Sequence, residues 1–312
     1  MTQEYSVHIE IAPQVHLIRG ANRARFPEAN CLLIDDEILT LVDAGASLPH
    51  IERTLKDLGH EISDVDQIVL THFHVDHKGY AERIRKVAHC DIVCHELGVE
   101  GTKSFEGLVD CYGTRGRAHY YAWESFIKKW LPHVTENYEV TGTFQDGEDI
   151  DCGNVKLIPI HTPGHTQDHT CIGINGRKVI YLVDIDLTRF GPWYGNAVSD
   201  IVQFKESIKR IMDMRPAMGI SSHLMEPISN GLEDRLEAYL AVFDERNQRI
   251  VHNVEEGHDT IEKLAAVPTI YPRIPHEVYL VFEEIMLEKH VKLLCERGVL
   301  RRDGEKILVD KR

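Results

Sequence analysis

The stretch Gln67-Ile68-Val69-Leu70-Thr71-His72-Phe73-His74-Val75-Asp76-His77 decides the reading of this 312-residue chain. Gln67 to Leu70 reads as a strand, and it runs straight into a loop that holds four metal-binding side chains within six residues. On an extended loop His72 and His74 point the same way, as i and i+2 positions do, while the next turn swings Asp76 and His77 toward a second point. One loop can therefore serve two metals.

Working outward, the apolar runs Val7 to Ile11, Val15 to Ile18, Cys31 to Ile34 and Ile38 to Val42 are bounded by Pro, Gly, Asn or Asp and read as short antiparallel strands. A helix from Ser47 to Leu58 follows, ended by Gly59. Downstream, Val155 to Ile160, Cys171 to Ile174, Val179 to Val183 and Met218 to Ser221 read as strands, with a helix at Asp200 to Met214. Strands with interspersed helices in two halves predict an α/β protein with two packed sheets covered by helices outside.

Between the halves, residues 102–133 carry seven of the 23 aromatic residues, with Tyr120, Trp123, Ile127 and Trp130 at helical spacing. The expectation is a helical hairpin that packs this stripe on the sheets or on a second subunit, or serves as a substrate lid, or both. Near Gly231 the composition shifts and a second unit, residues 232–312, opens. It reads as a long helix from Glu233 to Val254, a short helix capped by Asp259 or Thr260, a helix from His276 to Arg297, and a hairpin turning at Asp303-Gly304. Helices followed by a terminal hairpin look like a winged helix. The helix from His276 carries Lys289, Lys292 and Arg297 against five glutamates, so it is expected to cover the first unit or join a homodimer rather than read DNA.

The net charge of -15 opposes nucleic-acid binding by the whole surface. No segment reaches the roughly 18 consecutive apolar residues needed to span a bilayer, and the first residues show no basic-then-apolar leader, which predicts a cytoplasmic location. Seven scattered cysteines without a Cys-x-x-Cys pair predict reduced thiols.

The sequence resembles the metallo-β-lactamase superfamily of binuclear metallohydrolases, over nearly all of residues 8–231. Leu41-Val42-Asp43-Ala44-Gly45 looks like the first motif, whose Asp43 braces the histidine loop from behind, and Asn30 matches the Asn that often precedes it. His72, His74, Asp76 and His77 match the second motif, His165 in Thr162-Pro163-Gly164-His165-Thr166 the third, Asp184 the bridging aspartate and His223 the last histidine. Two positions depart from the pattern: Val183 and Ser222 stand where the family usually has glycine. Asp186, two residues beyond Asp184, is the rival bridging ligand, and His161 and His169 are expected to donate from behind the ligands or to touch substrate.

The resemblance implies a four-layer αβ/βα sandwich for residues 1–231. It divides the ligands into His72, His74 and His165 on one metal and Asp76, His77 and His223 on the other, with Asp184 shared. Two divalent ions are implied, zinc first for a set of imidazoles and carboxylates, with iron or manganese as alternatives. The implied activity is hydrolysis by a metal-bridging hydroxide, with Asp76 as the catalytic residue that orients the nucleophile or passes a proton to the leaving group. The expected substrate is a small acyl ester, thioester or lactone enclosed by Trp193, Tyr194 and the 102–133 insert. The alternatives are a metal-dependent endoribonuclease or phosphodiesterase, since the chain with its winged-helix-like C-terminal unit resembles the branch of beta-lactamase-like endoribonucleases and glyoxalase II-like hydrolases, and an iron-dependent persulfide dioxygenase.

Overall fold

The structure, a computed structural model, describes residues 5–310. Seven strands form the first sheet in chain order: β1 (His8–Ala12), β2 (Val15–Ile18), β3 (Cys31–Ile34), β4 (Thr40–Val42), β5 (Gln67–Leu70), β6 (Asp91–His95) and β7 (Gly142–Phe144). The first four pair antiparallel, as the sequence led one to expect, and β4 through β7 then pair in parallel. The second sheet holds β8 (Ile150–Asp151), β9 (Lys156–His161), β10 (Thr170–Ile174), β11 (Val179–Val183) and β12 (Met218–Ser221). A separate hairpin, β13 (Leu300–Asp303) and β14 (Lys306–Val309), lies near the C-terminus.

The helices of the first half are α1 (Leu48–Asp57), α2 (Val75–Lys78), α3 (Ala81–Ala88), α4 (Val99–Lys103), α5 (Phe105–Tyr112) and α6 (Tyr120–Trp130). Those of the second are α7 (Ile201–Met214), α8 (Leu232–Glu255), α9 (Ile261–Ala265) and α10 (Val278–Glu296). Among the described residues no helix is long and apolar enough to cross a membrane.

Alternation along each strand builds the layers. In β3, Leu32 and Ile34 face the second sheet, where they meet Leu157, Ile172 and Tyr181, while Cys31 and Leu33 face Ile51 and Leu55 of α1. On the far side, Ile160, Ile180 and Leu182 of the second sheet pack on Phe204, Ile208 and Ile211 of α7. Helix, sheet, sheet and helix make the four layers. Each large aliphatic side chain buried this way contributes about 1.5–3 kcal/mol.

One expectation about the periphery needs correction. The insert's stripe packs on neither sheet: Trp123 and Ile127 share a cluster with Phe73, Val281, Phe282 and Ile285, so their partner is α10 of the same chain. Trp130, the last residue of the helix before Leu131-Pro132, leaves the stripe and is 62% exposed. In the C-terminal unit the helix, helix, helix, hairpin order is present, with Thr260 rather than Asp259 capping α9. As expected of a unit that covers the first, its core is continuous with the second sheet, since Leu236 and Phe243 of α8 and Met286 and Leu287 of α10 join the cluster of Ile180 and Phe204. α10 is therefore buried on two sides. All seven cysteines are free.

Candidate metal centre

The donors follow the ends of strands, with Asp76 and His77 carried on the short helix α2 after β5. β4 delivers Asp43, fully buried, and β5 delivers the histidine loop. Asp43 accepts the Thr71 amide at 2.9 Å, the Thr71 hydroxyl at 2.8 Å and His77 Nδ1–H at 2.8 Å, so one carboxylate fixes both ends of the loop. Gly45 lets the chain pass under it: a Cβ there would lie 1.5 Å from the Asp76 carbonyl oxygen.

The donors fall into two groups, His72, His74, His165 and Asp184, and Asp76, His77 and His223, with ligand atoms inside each group within 4.8 Å of one another. Asp184 faces both. Its Oδ2 lies 3.1 Å from His165 Nε2 and 4.0 Å from His72 Nε2, and its Oδ1 lies 3.1 Å from His77 Nε2 and 3.6 Å from His223 Nε2. Asp186 turns instead to its own loop, accepting the Thr188 amide at 3.0 Å. Period two fails here because β11 ends at Val183, whose φ of 54° breaks the strand. A branched residue in that region is strained. Ser222, the other departure, donates to Asp184 Oδ1 and to the Val183 carbonyl, bracing the turn.

The rings are oriented from behind. His77 Nδ1 meets Asp43, His165 Nδ1 the Trp193 carbonyl at 2.8 Å and His223 Nδ1 the Ala24 carbonyl at 2.7 Å, so each presents the lone pair of Nε2 to the centre. Asn30 donates to the Ser221 and Leu224 carbonyls and so holds the His223 loop. His169 Nε2 accepts the Asp184 amide at 3.1 Å, which supports the aspartate without facing the centre. His161 stacks on His95 at 4.1 Å and bonds the Gln167 carbonyl, away from the ligands.

Buried imidazole nitrogens need partners. His72 Nε2 and His77 Nε2 are buried and have no hydrogen-bond partner, and both aim at Asp184. An ion held by these donors removes that penalty, so the residues suit a metal.

The sequence profile of the Metallo-beta-lactamase superfamily matches residues 25–223, the span that carries every one of these donors. The chain belongs to that superfamily. A relative, the Beta-lactamase-like protein 2 homolog of Drosophila melanogaster, is 25% identical over 269 residues, covering 84% of this chain and 80% of its own. The Atrochrysone carboxyl ACP thioesterase of Aspergillus fumigatus is 21% identical over 248 residues, covering 76% and 66%. A metallo-beta-lactamase family protein of Thermus thermophilus superposes with a TM-score of 0.74 at 22% identity, covering 96% of this chain and all of that one, so the likeness in fold runs on through the C-terminal unit. The chain is accordingly a metallohydrolase.

Without an ion, this superfamily cluster is a tightly opposed set of charges. Burial works against charging His77, but Asp184 and Asp43 prevail and hold it well above its ordinary value. Burial likewise opposes the charged ring of His223, and Asp184 and Asp76 raise it to about 9. His72 and His74 go well below, from burial first and then from neighbouring imidazoles. Burial pulls Asp184 up, yet His77, His165 and His223 hold it well below the usual carboxylate range.

The centre opens into a cleft of about 1240 Å³. Tyr112, Trp123, Phe126, Trp193, Tyr271 and Phe282 line it, drawn from the insert, the loop after β11 and the C-terminal unit. Trp193 stands where a substrate contact was expected, its ring 5.3 Å from that of His74. Tyr194 does not: it is fully buried, and its hydroxyl bonds His290 Nε2 at 2.6 Å and receives Arg246 at 2.9 Å. Consecutive residues of an extended loop face opposite sides, so the tyrosine beside a cleft-lining tryptophan anchors the loop.

Sequence reasoning missed Tyr112, 5.0 Å from the His74 ring, and Asn196, which donates to the His165 carbonyl at 2.9 Å. It also missed Arg246, 2% exposed, which binds the carbonyls of Phe190 and Pro192. The available signal was a charged residue on the apolar face of α8, three positions after Phe243 and four before Ile250.

Proposed function

We propose that this chain is a binuclear metal-dependent hydrolase of a small ester, thioester or lactone. The observation that carries the reading is the position of Asp184, with one carboxylate oxygen toward each donor group and an apolar, aromatic cleft directly in front. His72, His74 and His165 would hold one ion and Asp76, His77 and His223 the other. Zinc is the first choice for an all-imidazole and carboxylate set. When bound, such ions supply an acidified water and Lewis-acid polarisation of a carbonyl.

The chain's own residues do the rest. Tyr112, Trp123 and Phe282 take the acyl portion out of water, and Trp193 crosses its inner end beside His74. Asp76, with its carboxylate 3.6 Å from His223 Nε2, receives the proton released on attack and returns it to the leaving oxygen or sulfur. The complete donor set of the second group disfavours a one-iron dioxygenase, which needs no such set. The relative named as a thioesterase supports an acyl substrate.

The test is mass spectrometry for metal content together with a panel of acyl thioesters, lactones and single-stranded RNA. Two equivalents of metal and acyl turnover that disappears in His72→Ala are expected. RNA cleavage lost in the same variant, beside inert thioesters and lactones, would make the chain a phosphodiesterase instead.

A further inference from the structure

We propose that the cleft recognises the leaving half of its substrate by phosphate, so that the substrate is an acyl group thioesterified to a phosphate-bearing thiol of the phosphopantetheine type. This rests on the acyl-hydrolase reading above and narrows it.

Four arginines line the cleft: Arg23, Arg25, Arg189 and Arg235. They come from three separate segments, the loop between β2 and β3, the loop after β11 and the first turn of α8, and all four are exposed. The chain carries 50 acidic residues against 35 basic ones, so carboxylate partners are in excess. Arg19, Arg83, Arg117 and Arg210 each hold one. Among the described residues, none of the four cleft arginines is paired with a carboxylate; Arg177, Arg215 and Arg273 are likewise unpaired, so what sets these four apart is that they line one cleft, with Arg23 also over the Tyr5 ring at 5.4 Å. Beyond the metal-site aspartates and Asp186, the acidic residue lining the cleft is Glu226, which Arg19 already holds at 3.0 Å. In an acidic protein, a mouth left this positive suits an anion, and guanidinium matches phosphate in a two-pronged geometry.

The backbone of the first segment adds a second observation. Arg23 and Ala24 sit at φ of 54° and 53°, a left-handed turn made without glycine. Such positions are strained and persist where the surroundings impose them. Here the Ala24 carbonyl takes the Nδ1–H of His223, so the turn that orients a metal ligand also sets Arg23 and Arg25 at the mouth. Anion binding and metal-site geometry are built into one loop.

The cleft volume of about 1240 Å³ exceeds the roughly 300–1,000 Å³ of ordinary small-ligand pockets, leaving room for a carrier beside the acyl group. The ring wall argues against a nucleic-acid strand. Trp123 is 1% exposed and Tyr112 4%, their rings 5.3 Å apart and tilted by 45°, so they offer a wall for one apolar group and no row of free faces for stacking bases. In the reaction, water oxygen forms a bond to the acyl carbon as the carbon–sulfur bond breaks. The products are a carboxylate, a thiol and one proton, with no change of oxidation state.

The experiment compares one acyl group on coenzyme A, on 4′-phosphopantetheine and on neutral N-acetylcysteamine, using metal-loaded protein. Preference for coenzyme A over the neutral thiol by on the order of tenfold or more in kcat/KM is expected, shrinking with salt. Arg189→Ala and Arg235→Ala each lower that ratio about three- to tenfold. Lys209→Ala, on the distant surface of α7, leaves it unchanged. Phosphopantetheine matching coenzyme A would assign the arginines to a single phosphate, and coenzyme A exceeding it would assign them to the whole nucleotide. Calorimetry of free coenzyme A with metal-free protein reads the same contacts without turnover, and the Arg189→Ala/Arg235→Ala protein should bind more weakly. Equal kcat/KM on charged and neutral thioesters, or a ratio untouched in the double variant, would overturn the phosphate reading while the acyl-hydrolase reading stands. Inert thioesters throughout, beside cleavage of single-stranded RNA, would overturn both.

Discussion

Replacing Arg246 with Met should both loosen the fold and weaken the metal site, although the residue lies in the C-terminal unit and touches no ligand. Its guanidinium donates to the carbonyls of Phe190 and Pro192 and to the Tyr194 hydroxyl, and lies 4.8 Å from the centre of the Phe190 ring. Methionine keeps the length of the chain and removes every donor. Two loop carbonyls are then left without a partner in a buried place, at about 1–3 kcal/mol each, and the whole loss should reach roughly 3–5 kcal/mol. At about 2–4 °C per kcal/mol for a chain of this order of size, the midpoint of thermal unfolding falls by around 10 °C. The loop between Phe190 and Tyr194 includes Trp193, whose carbonyl orients His165 and whose indole N–H is held by the Tyr271 hydroxyl at 2.9 Å. Metal affinity, read by chelator competition, should therefore drop roughly 10- to 100-fold. A midpoint unchanged within about 2 °C would refute the clamp. Lost stability with metal affinity intact would refute its link to His165.

Asp184→Asn should lower kcat by on the order of a hundredfold or more and cut metal content, whereas Asp186→Asn, which loses a turn around Thr188, should be milder; reversed effects would move the bridge. Asp43→Asn should weaken metal binding about 10- to 100-fold in the same chelator assay, since it unfastens both Thr71 and His77, and unaltered affinity would count against its bracing role. In metal-free protein His223 is raised from 6.5 to about 9, so the folded state binds a proton the unfolded chain releases between those values. Stability is then full below about pH 6.5, falls as pH rises and is lost above 9, the reverse of the slope carboxylates give; urea titrations showing no fall across that window would contradict it.

The metal loop and most strands were legible because their signals are local. Gln67 to Leu70, Val179 to Val183 and Met218 to Ser221 match the observed strands at both ends, since apolar runs bounded by polar or turn residues carry their own limits. Strand β6 was not legible: Asp91-Ile92-Val93-Cys94-His95 begins and ends with polar residues, and it is a strand because Gln67 to Leu70 pairs with it. The insert's stripe was visible in its spacing, but its partner, α10, lies some 150 residues away in sequence and no periodicity names a distant face. Tyr194 failed for a related reason. Adjacency to Trp193 placed it near the cleft, while what decides its side is a buried network with Arg246 and His290 that exists only after the C-terminal helices dock.

That docking accounts for why this unit reads poorly as a free-standing binding module. α10 gives Phe282 to the wall of the cleft and His290 to the anchor of Tyr194. Its Glu283 accepts the amides of Ile270 and Tyr271, fixing the tyrosine that holds Trp193. The same helix thus shapes the apolar wall directly and reaches His165 through two intermediaries. Most of the surface of α10 is turned to the chain's own core. On the two-ion reading, four positive charges replace the protons of His77 and His223 and, set against Asp43, Asp76, Asp184 and a bridging hydroxide, bring a slightly negative cluster to about neutral, so attraction for an anion falls mainly to the arginines. On the proposed reading, a phosphate-bearing thioester would meet the arginines and the aromatic wall within one and the same cleft.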